Sequence, residues 1–357
     1  MRSHFVGWLL AMSVAAVPQQ PAVQNAKVET QAVTTLARDI GALGGGPDVT
    51  WIGWRVPMVA GDRDLCSTWR TGDISSRGEV LEGLSRGTTP VFPPATGPLP
   101  LEAGTNLLVL VRATQGQIER VRTTGDNCPI DGGGKKLVWL TGVTPAASLA
   151  FLDGLVQSNM AGNGAPQAVG RSAVDAIALH ADTGADAVLT RLLSPTLDRS
   201  WRTQAAHWMA RTRGAAGAER LIGMLGGETD GSFRRTLVSA LSQVHEGRIV
   251  SLFESLARTD KDAGVRGEAL YWYAQRAGVT GISQVLGLTE KEPDEGAQRR
   301  ALSSIARLPG GQGLPSLIQL ARTTQNPPVK RNAIRVLSES DDPRVVTYLE
   351  GIVKGTN

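Results

Sequence analysis

The chain has 357 residues, more than one hydrophobic core usually holds, which predicts two domains or one domain joined to a repeat array. Hydrophobic residues make up 41% of it and charged residues 20%, a composition that excludes general disorder and collagen-like repetition. The formal net charge is only +4 and neither half is strongly basic, so we expect no nucleic-acid partner.

The amino-terminal residues predict export. Arg2 precedes an apolar run over residues 5–14, and the small residues Ala15 and Ala16 follow it. This pattern is typical of a secretory signal peptide over residues 1–16, with an uncleaved anchor as the alternative. No later segment approaches eighteen consecutive apolar residues, so we do not expect an integral membrane protein. The expected localisation is periplasmic or extracellular.

Strand-like patterning over residues 27–144 predicts a small antiparallel β domain, after a polar, disordered lead at 17–26. A short segment containing Gly116 predicts a hairpin between the second and third strands. Proline-rich residues 88–100 predict a loop or an extended edge. The predicted strands are apolar and β-branched runs at 49–56, 106–112, 118–123 and 136–143.

The tryptophans of this β domain allow two interpretations. They can supply much of its core, which is favoured, or they can form an exposed aromatic patch. A patch would bind a small ligand or a carbohydrate through Trp51, Trp54 or Trp69, which is the main alternative function. The four tryptophans concerned are Trp51, Trp54, Trp69 and Trp139.

Cys66 and Cys128 are the only cysteines of the chain. In an exported protein this number predicts one disulfide, and two separate thiols are the alternative. A bond closing a loop of about 60 residues would stabilise the fold by about 4 kcal/mol. Without nearby histidine or further cysteine, the two thiols cannot complete a zinc site.

The pattern becomes helical after Thr144. Residues 145–157 predict one helix capped by Thr144, and residues 158–167 predict a flexible joint. From residue 168 to 357 the sequence repeats six times with a constant period of 32 residues. Apolar residues recur at the reference position of each repeat and again four and eight residues later, which predicts one helix face. The reference residues are Val169, Trp201, Phe233, Val265, Ala297 and Val329.

A second apolar stripe, which begins twenty residues after the reference position, predicts a second helix in every repeat. Short polar residues recur three residues before the reference position, where a side-chain oxygen can cap the first helix. Pro166 occupies that position in the first copy, as is typical of a terminal repeat. The predicted caps are Asp198, Asp230, Asp262, Asp294 and Asn326.

The segment Asp262-Ala-Gly-Val-Arg-Gly-Glu-Ala269 resembles the short bacterial HEAT-like repeat, and the resemblance covers residues 168–354. One pair of such helices cannot bury its own apolar faces, so successive pairs must stack. The predicted fold class is therefore multi-domain, a small antiparallel β domain followed by an all-α HEAT-like solenoid of six 32-residue repeats. The resemblance assigns no family to the β domain.

Sequence motifs for catalysis are weak. Ser85 lies in Gly-Leu-Ser-Arg-Gly, but prolines close behind it exclude the helix that a nucleophile elbow needs. The glycine run before Lys135 lacks the residues of a phosphate loop and predicts a turn. Related HEAT-like hydroxylases need several His-Glu dipeptides, whereas this chain has only His245-Glu246, in a predicted turn. We therefore expect no enzyme activity and no cofactor, with a hydrolase using Ser85 as a remote alternative.

Basic residues follow the reference position in four repeats, at Arg202, Arg234, Arg266 and Lys330. They predict ion pairs with the capping column of adjacent repeats, and a groove for an acidic ligand is the alternative. The leading functional hypothesis is an exported, non-enzymatic scaffold that binds another protein through its solenoid. Its predicted contact surface consists of the outward-facing positions of the second helices, which are Arg191, Glu219, Ser251, Ser255, Ser283, Gln319 and Tyr348.

Overall fold

A computed structural model of the protein describes residues 20–61, 65–66, 68–71, 74–83, 104–162 and 166–355. The predicted signal peptide and Ser85 lie outside the described residues. No helix in the described ranges has the length and apolarity to cross a membrane. The chain divides into two compact units, Met1–Ala185 and Asp186–Asn357.

The first unit is built around one large β-sheet. Its strands are β1 (Val23–Gln24), β2 (Lys27–Ala32), β3 (Thr50–Pro57), β4 (Thr68–Thr71), β5 (Ile74–Arg77), β6 (Glu79–Val80), β7 (Asn106–Thr114), β8 (Gln117–Gly125), β9 (Ile130–Asp131) and β10 (Lys136–Thr141). Its helices are α1 (Leu36–Leu43), α2 (Pro145–Met160) and α3 (Gln167–Leu179). The large sheet has the strand order β2-β10-β3-β7-β8, and within the described residues two small sheets accompany it, one of order β1-β9-β6 and one formed by β4 and β5.

Strand directions in the main sheet differ from the antiparallel prediction. The pairs β3–β7 and β7–β8 are antiparallel, and Gln115 and Gly116 form the predicted hairpin turn with positive φ at both residues. Strand β10, however, runs parallel to both of its neighbours, β2 and β3. Helix α1 makes this possible because it returns the chain between β2 and β3, which then point the same way. The sheet is therefore mixed.

The predicted disordered lead contains ordered backbone. Strand β1, at Val23–Gln24, pairs with β9, and the N–H of Ile130 donates to the carbonyl of Ala22 at 2.8 Å. These hydrogen bonds satisfy backbone N–H and C=O groups of a polar segment whose sequence shows no apolar pattern. The prediction of disorder is wrong for this part of the segment.

Indole rings of the first unit form its core. Trp51 and Trp54 have no exposed surface, and Trp139 is 2% exposed. The Nε1 atom of Trp54 donates to the Ser148 hydroxyl at 2.8 Å, and that hydroxyl lies 3.1 Å from Nε2 of the buried His180. Trp51 and Trp54 therefore offer no ring face to a ligand, which removes them from the predicted aromatic patch. The side chain of Trp69, the third residue of that predicted patch, lies outside the part of the protein that the structure describes.

Cys66 and Cys128 form the disulfide of the first unit, with their Cα atoms 5.4 Å apart. Both residues are buried. The bond closes 62 residues of chain around strands β4 to β8.

The predicted fold class is confirmed in the helical segment. Helix follows helix through this segment, and each reference residue from Trp201 to Val329 is buried. The helices are α4 (Gly184–Leu192), α5 (Arg199–Thr212), α6 (Gly214–Gly227), α7 (Gly231–Leu241), α8 (Gly247–Thr259), α9 (Ala263–Ala277), α10 (Ile282–Lys291), α11 (Glu295–Ala306), α12 (Leu314–Thr323), α13 (Pro327–Leu337) and α14 (Pro343–Val353).

In the second unit, the first helices of successive repeats pack directly on one another, from α5 through α7, α9 and α11 to α13. Helices α9 and α11 approach each other closely at Gly267, where an added Cβ would lie 2.9 Å from Cα of Ala297. A side chain at Gly267 would therefore push α9 away from α11. The second helices α6, α8, α10 and α12 each pack against the first helix that follows them.

Four of the predicted caps make the expected contact. The side-chain oxygens of Asp230, Asp262, Asp294 and Asn326 accept hydrogen bonds from first-turn N–H groups at 2.8–3.4 Å. Asp198 also precedes its helix, but its carboxylate makes no cap hydrogen bond. Its φ of −55° differs from the −74° to −90° of the other four, so its side chain starts in another direction.

Candidate protein interaction surface

The basic column predicted from the sequence is buried and paired. Arg266 binds Glu292 at 2.7 Å, Arg202 binds Glu228 at 2.5 Å, and Arg234 binds Asp260. The guanidinium-bearing side chains are 7–16% exposed. They are therefore unavailable to an acidic ligand, and the alternative of a groove at these three arginines is wrong. Lys330, the fourth member, is exposed.

The acidic partners differ from the prediction. Glu228, Asp260 and Glu292 stand five residues before the reference position, two residues before the caps. Each of these carboxylates also accepts the backbone N–H of the capping residue at 2.9 Å. That contact holds each carboxylate beside the arginine of the preceding repeat. The carboxylates of the capping aspartates instead accept hydrogen bonds from N–H groups of the helices that they cap.

The pKa of Glu228 illustrates the balance in this column. Burial acts to raise the pKa, but the Asp230 N–H and the Arg202 guanidinium outweigh burial and hold it below its ordinary value. The charged form is therefore the one that the fold stabilises. The three ion pairs join successive repeats, whereas Lys330, the fourth basic residue of the column, is exposed.

The predicted contact residues on the second helices are exposed except for one. Tyr348 is 3% exposed, and the Arg322 guanidinium lies 5.1 Å from its ring centroid. Tyr348 is therefore a buried packing residue of α14, which corrects its predicted role. The exposed six include no aromatic residue; they are Arg191, Glu219, Ser251, Ser255, Ser283 and Gln319.

A groove of about 460 Å³ lies on the other side of the array, between α9 and α11. Trp272 and Tyr271 of α9 form one wall, and their rings meet edge to face with centroids 5.0 Å apart. Three arginines line the opposite wall. The full set of lining residues is Glu268, Tyr271, Trp272, Gly296, Arg299, Arg300, Ser303 and Arg307.

The carboxylate of Glu268 organises the inner end of this groove. It accepts a hydrogen bond from Nε1 of Trp272 at 2.7 Å and pairs with Nη2 of Arg300 at 3.1 Å. Arg299 and Arg307 are exposed, and within the described residues neither makes an ion pair or a side-chain hydrogen bond. The groove thus holds two uncompensated positive charges beside an aromatic wall.

Comparison with known proteins identifies the helical segment. The family model for HEAT repeats matches residues 282–357. The carboxy-terminal segment is a HEAT-like repeat array. No curated protein matches the chain. Among solved structures, human deoxyhypusine hydroxylase in complex with glycerol is similar at 13% identity and a TM-score of 0.29, over 59% of this chain and 97% of that chain. A TM-score of that size carries no argument about activity.

Aromatic and basic residues recur on the same side of the HEAT array two repeats earlier. His207 and Trp208 of α5 occupy the positions that Tyr271 and Trp272 occupy in α9. The Arg211 guanidinium lies 4.8 Å from the Trp208 ring centroid. Burial, together with the charge of Arg211, lowers the pKa of His207. We call this side the first-helix face, defined by His207, Trp208, Arg211, Tyr271, Trp272, Arg299, Arg300 and Arg307.

Potential metal-ligating side chains do not cluster in the described residues of the HEAT array or of the β unit. Among the described residues, no group of three or more His, Cys, Asp and Glu side chains could hold a metal ion. His245 and Glu246 precede α8, where the Glu246 carboxylate pairs with Arg248.

The first-helix face was not predicted from the sequence. The recurrence of Trp208 and Trp272 at twice the 32-residue period was nevertheless a visible signal for it.

Proposed function

We propose that the chain is an exported, non-enzymatic scaffold whose HEAT-like array binds a protein partner on the first-helix face. The observation that carries this proposal is that Arg299 and Arg307, which make no ion pair within the described part of the chain, lie beside the half-buried rings of Tyr271 and Trp272. The few residues that contribute most of the binding energy at protein interfaces are enriched in Trp, Tyr and Arg. Among the described residues, the exposed positions predicted on the second helices include no aromatic residue.

The disulfide supports the exported location. Cys66–Cys128 is buried in the core of the first unit, and structural disulfides persist in oxidising compartments. In this proposal the β unit is a second contact module, joined to the array in one chain.

Site-specific photo-crosslinking in the cells that make the protein tests the proposed face. A benzoylphenylalanine replaces Ser303, which lines the groove, and in the matched control it replaces the exposed Ser255 of α8. We expect one defined protein adduct from position 303, identified by mass spectrometry, and none from position 255. An adduct at position 255 alone, or at neither position, would contradict the proposal.

A further inference from the structure

We propose that the groove between α9 and α11 binds an extended acidic segment of the partner, with one carboxylate on Arg299 and another on Arg307. An apolar side chain between those carboxylates would rest on Tyr271 and Trp272. This inference rests on the proposed function, because it gives the chemistry of the partner at the same face.

Charge complementarity favours an acidic occupant. Many arginines of the array have a partner, including the exposed Arg199, which binds Asp230 at 2.7 Å. The charge of Arg300 is offset by Glu268, whereas those of Arg299 and Arg307 are not offset within the described residues. Arginine binds carboxylates in a fixed, often bidentate geometry. The groove therefore provides two separate carboxylate sites.

The spacing of the two arginines favours an extended chain. Arg299 and Arg307 are eight residues apart on and just beyond α11, which is about 12 Å along a helix axis. In an extended strand, residues four apart are about 13 Å apart and project from the same side. Two acidic residues at positions i and i+4 thus match the two arginines, and the residues at i+1 and i+3 project to the other side, toward the aromatic wall.

A peptide fits this groove better than a nucleic acid does. Binding to a phosphate backbone requires a basic surface that neutralises many successive charges. Here the α9 wall provides a carboxylate, Glu268, and two aromatic rings. The buried arginines Arg202, Arg234 and Arg266 are already paired and cannot extend a basic track.

Fluorescence anisotropy with the full chain tests the inference. The probe is a fluorescein-labelled octapeptide with glutamates four residues apart and phenylalanine directly after the first glutamate, and its control has glutamines in place of both glutamates. We expect the glutamate peptide to bind at least tenfold more tightly, and its affinity to fall as salt rises from about 50 to 500 mM.

Charge reversal at matched positions locates the binding. R299E and R307E should each weaken binding of the glutamate peptide at least tenfold. The control is R220E on α6, an exposed arginine without an ion pair in the described part of the chain. It should change the affinity less than twofold. All three side chains are exposed, so circular dichroism should show an unchanged fold.

E268Q tests the sign of the electrostatic effect. The amide oxygen can still accept from Trp272, but Arg300 is released and a negative charge leaves the groove. We expect binding of the glutamate peptide to strengthen severalfold. The inference is overturned if E268Q weakens binding, if both peptides bind equally, if R220E acts like R299E, or if a single-stranded DNA 20-mer binds more tightly than the glutamate peptide.

The two proposals fail separately. If position 303 crosslinks to a partner but the glutamate peptide neither binds nor competes with that adduct, the acidic-segment inference is wrong and the scaffold function stands. If no adduct forms at position 303, the proposed face is wrong, whatever the peptide does.

Discussion

Asp260 is the most buried carboxylate among the ion pairs that join successive repeats, with 2% of its side chain exposed. Replacing it with alanine would leave the Arg234 guanidinium buried without a counter-charge, which typically costs 3–5 kcal/mol. We expect D260A to lower the free energy of unfolding of the array by about 3–5 kcal/mol. The measurement is urea denaturation followed by circular dichroism at 222 nm.

Two controls separate the lost ion pair from general disruption. The exposed pair Arg199–Asp230 should contribute less than about 1 kcal/mol, so R199A should have little effect. The double variant R234Q/D260T copies Gln298 and Thr324, the neutral buried residues at the equivalent positions two repeats later. It should recover most of the stability. If it is as unstable as D260A, the unpaired charge is not the cause.

The arginine column was predictable from the sequence, but its partners were not. Both the cap position and the position two residues before it are acidic in several repeats, so spacing alone could not choose between them. The choice depends on the path of the loop, in which the earlier carboxylate accepts the N–H of the cap. The sequence does contain a signal for the true partner. In the repeat where Gln298 replaces the arginine, Thr324 replaces the acidic residue two positions before the cap.

At the scale of single helices, Asp294 and Asp198 form a matched pair of first-helix caps. The Asp294 carboxylate accepts the N–H of Ala297 at 2.8 Å, whereas that of Asp198 makes no such bond. Removing a cap that makes this bond costs about 1 kcal/mol. We therefore expect D294A to lower the free energy of unfolding by about 1 kcal/mol and D198A to change it by less than half of that, in the same urea titration. If both variants lower the free energy of unfolding equally, the hydrogen bond between Asp294 and the N–H of Ala297 does not explain the effect.

Helices were easier to predict than strands for a physical reason. Caps and apolar columns act within one or two turns, so a 32-residue period identifies both helices of each repeat. The direction of β10 depends on where a strand from residue 136 onward inserts between β2 and β3, which local patterning does not contain. The exposed side of the helices is likewise set by stacking: first helices pack on first helices, and this leaves Tyr271 and Trp272 partly accessible.

At the scale of the whole molecule, the two compact units differ in what stabilises them. The first closes a mixed sheet over buried tryptophans and a disulfide, while the second depends on contacts between neighbouring helices. The change of period after Thr144 predicted a β domain followed by a helical array. It did not predict that α3, the first helix of the repeat pattern, belongs to the same compact unit as the sheet.

This division leads to a prediction for the disulfide, which lies wholly in the first unit. Replacing Cys66 and Cys128 with serine removes a cross-link over 62 residues and should destabilise that unit by about 4 kcal/mol. For a unit of this size the midpoint of thermal unfolding should fall by about 10 °C. With Trp201, Trp208 and Trp272 of the array replaced by phenylalanine in both proteins, the tryptophan band of near-ultraviolet circular dichroism reports on the buried Trp51, Trp54 and Trp139 of the first unit. The far-ultraviolet signal is dominated by the helices. We expect the first signal to shift and the second to keep its main transition. An equal shift of both would show that the array depends on the disulfide-linked unit.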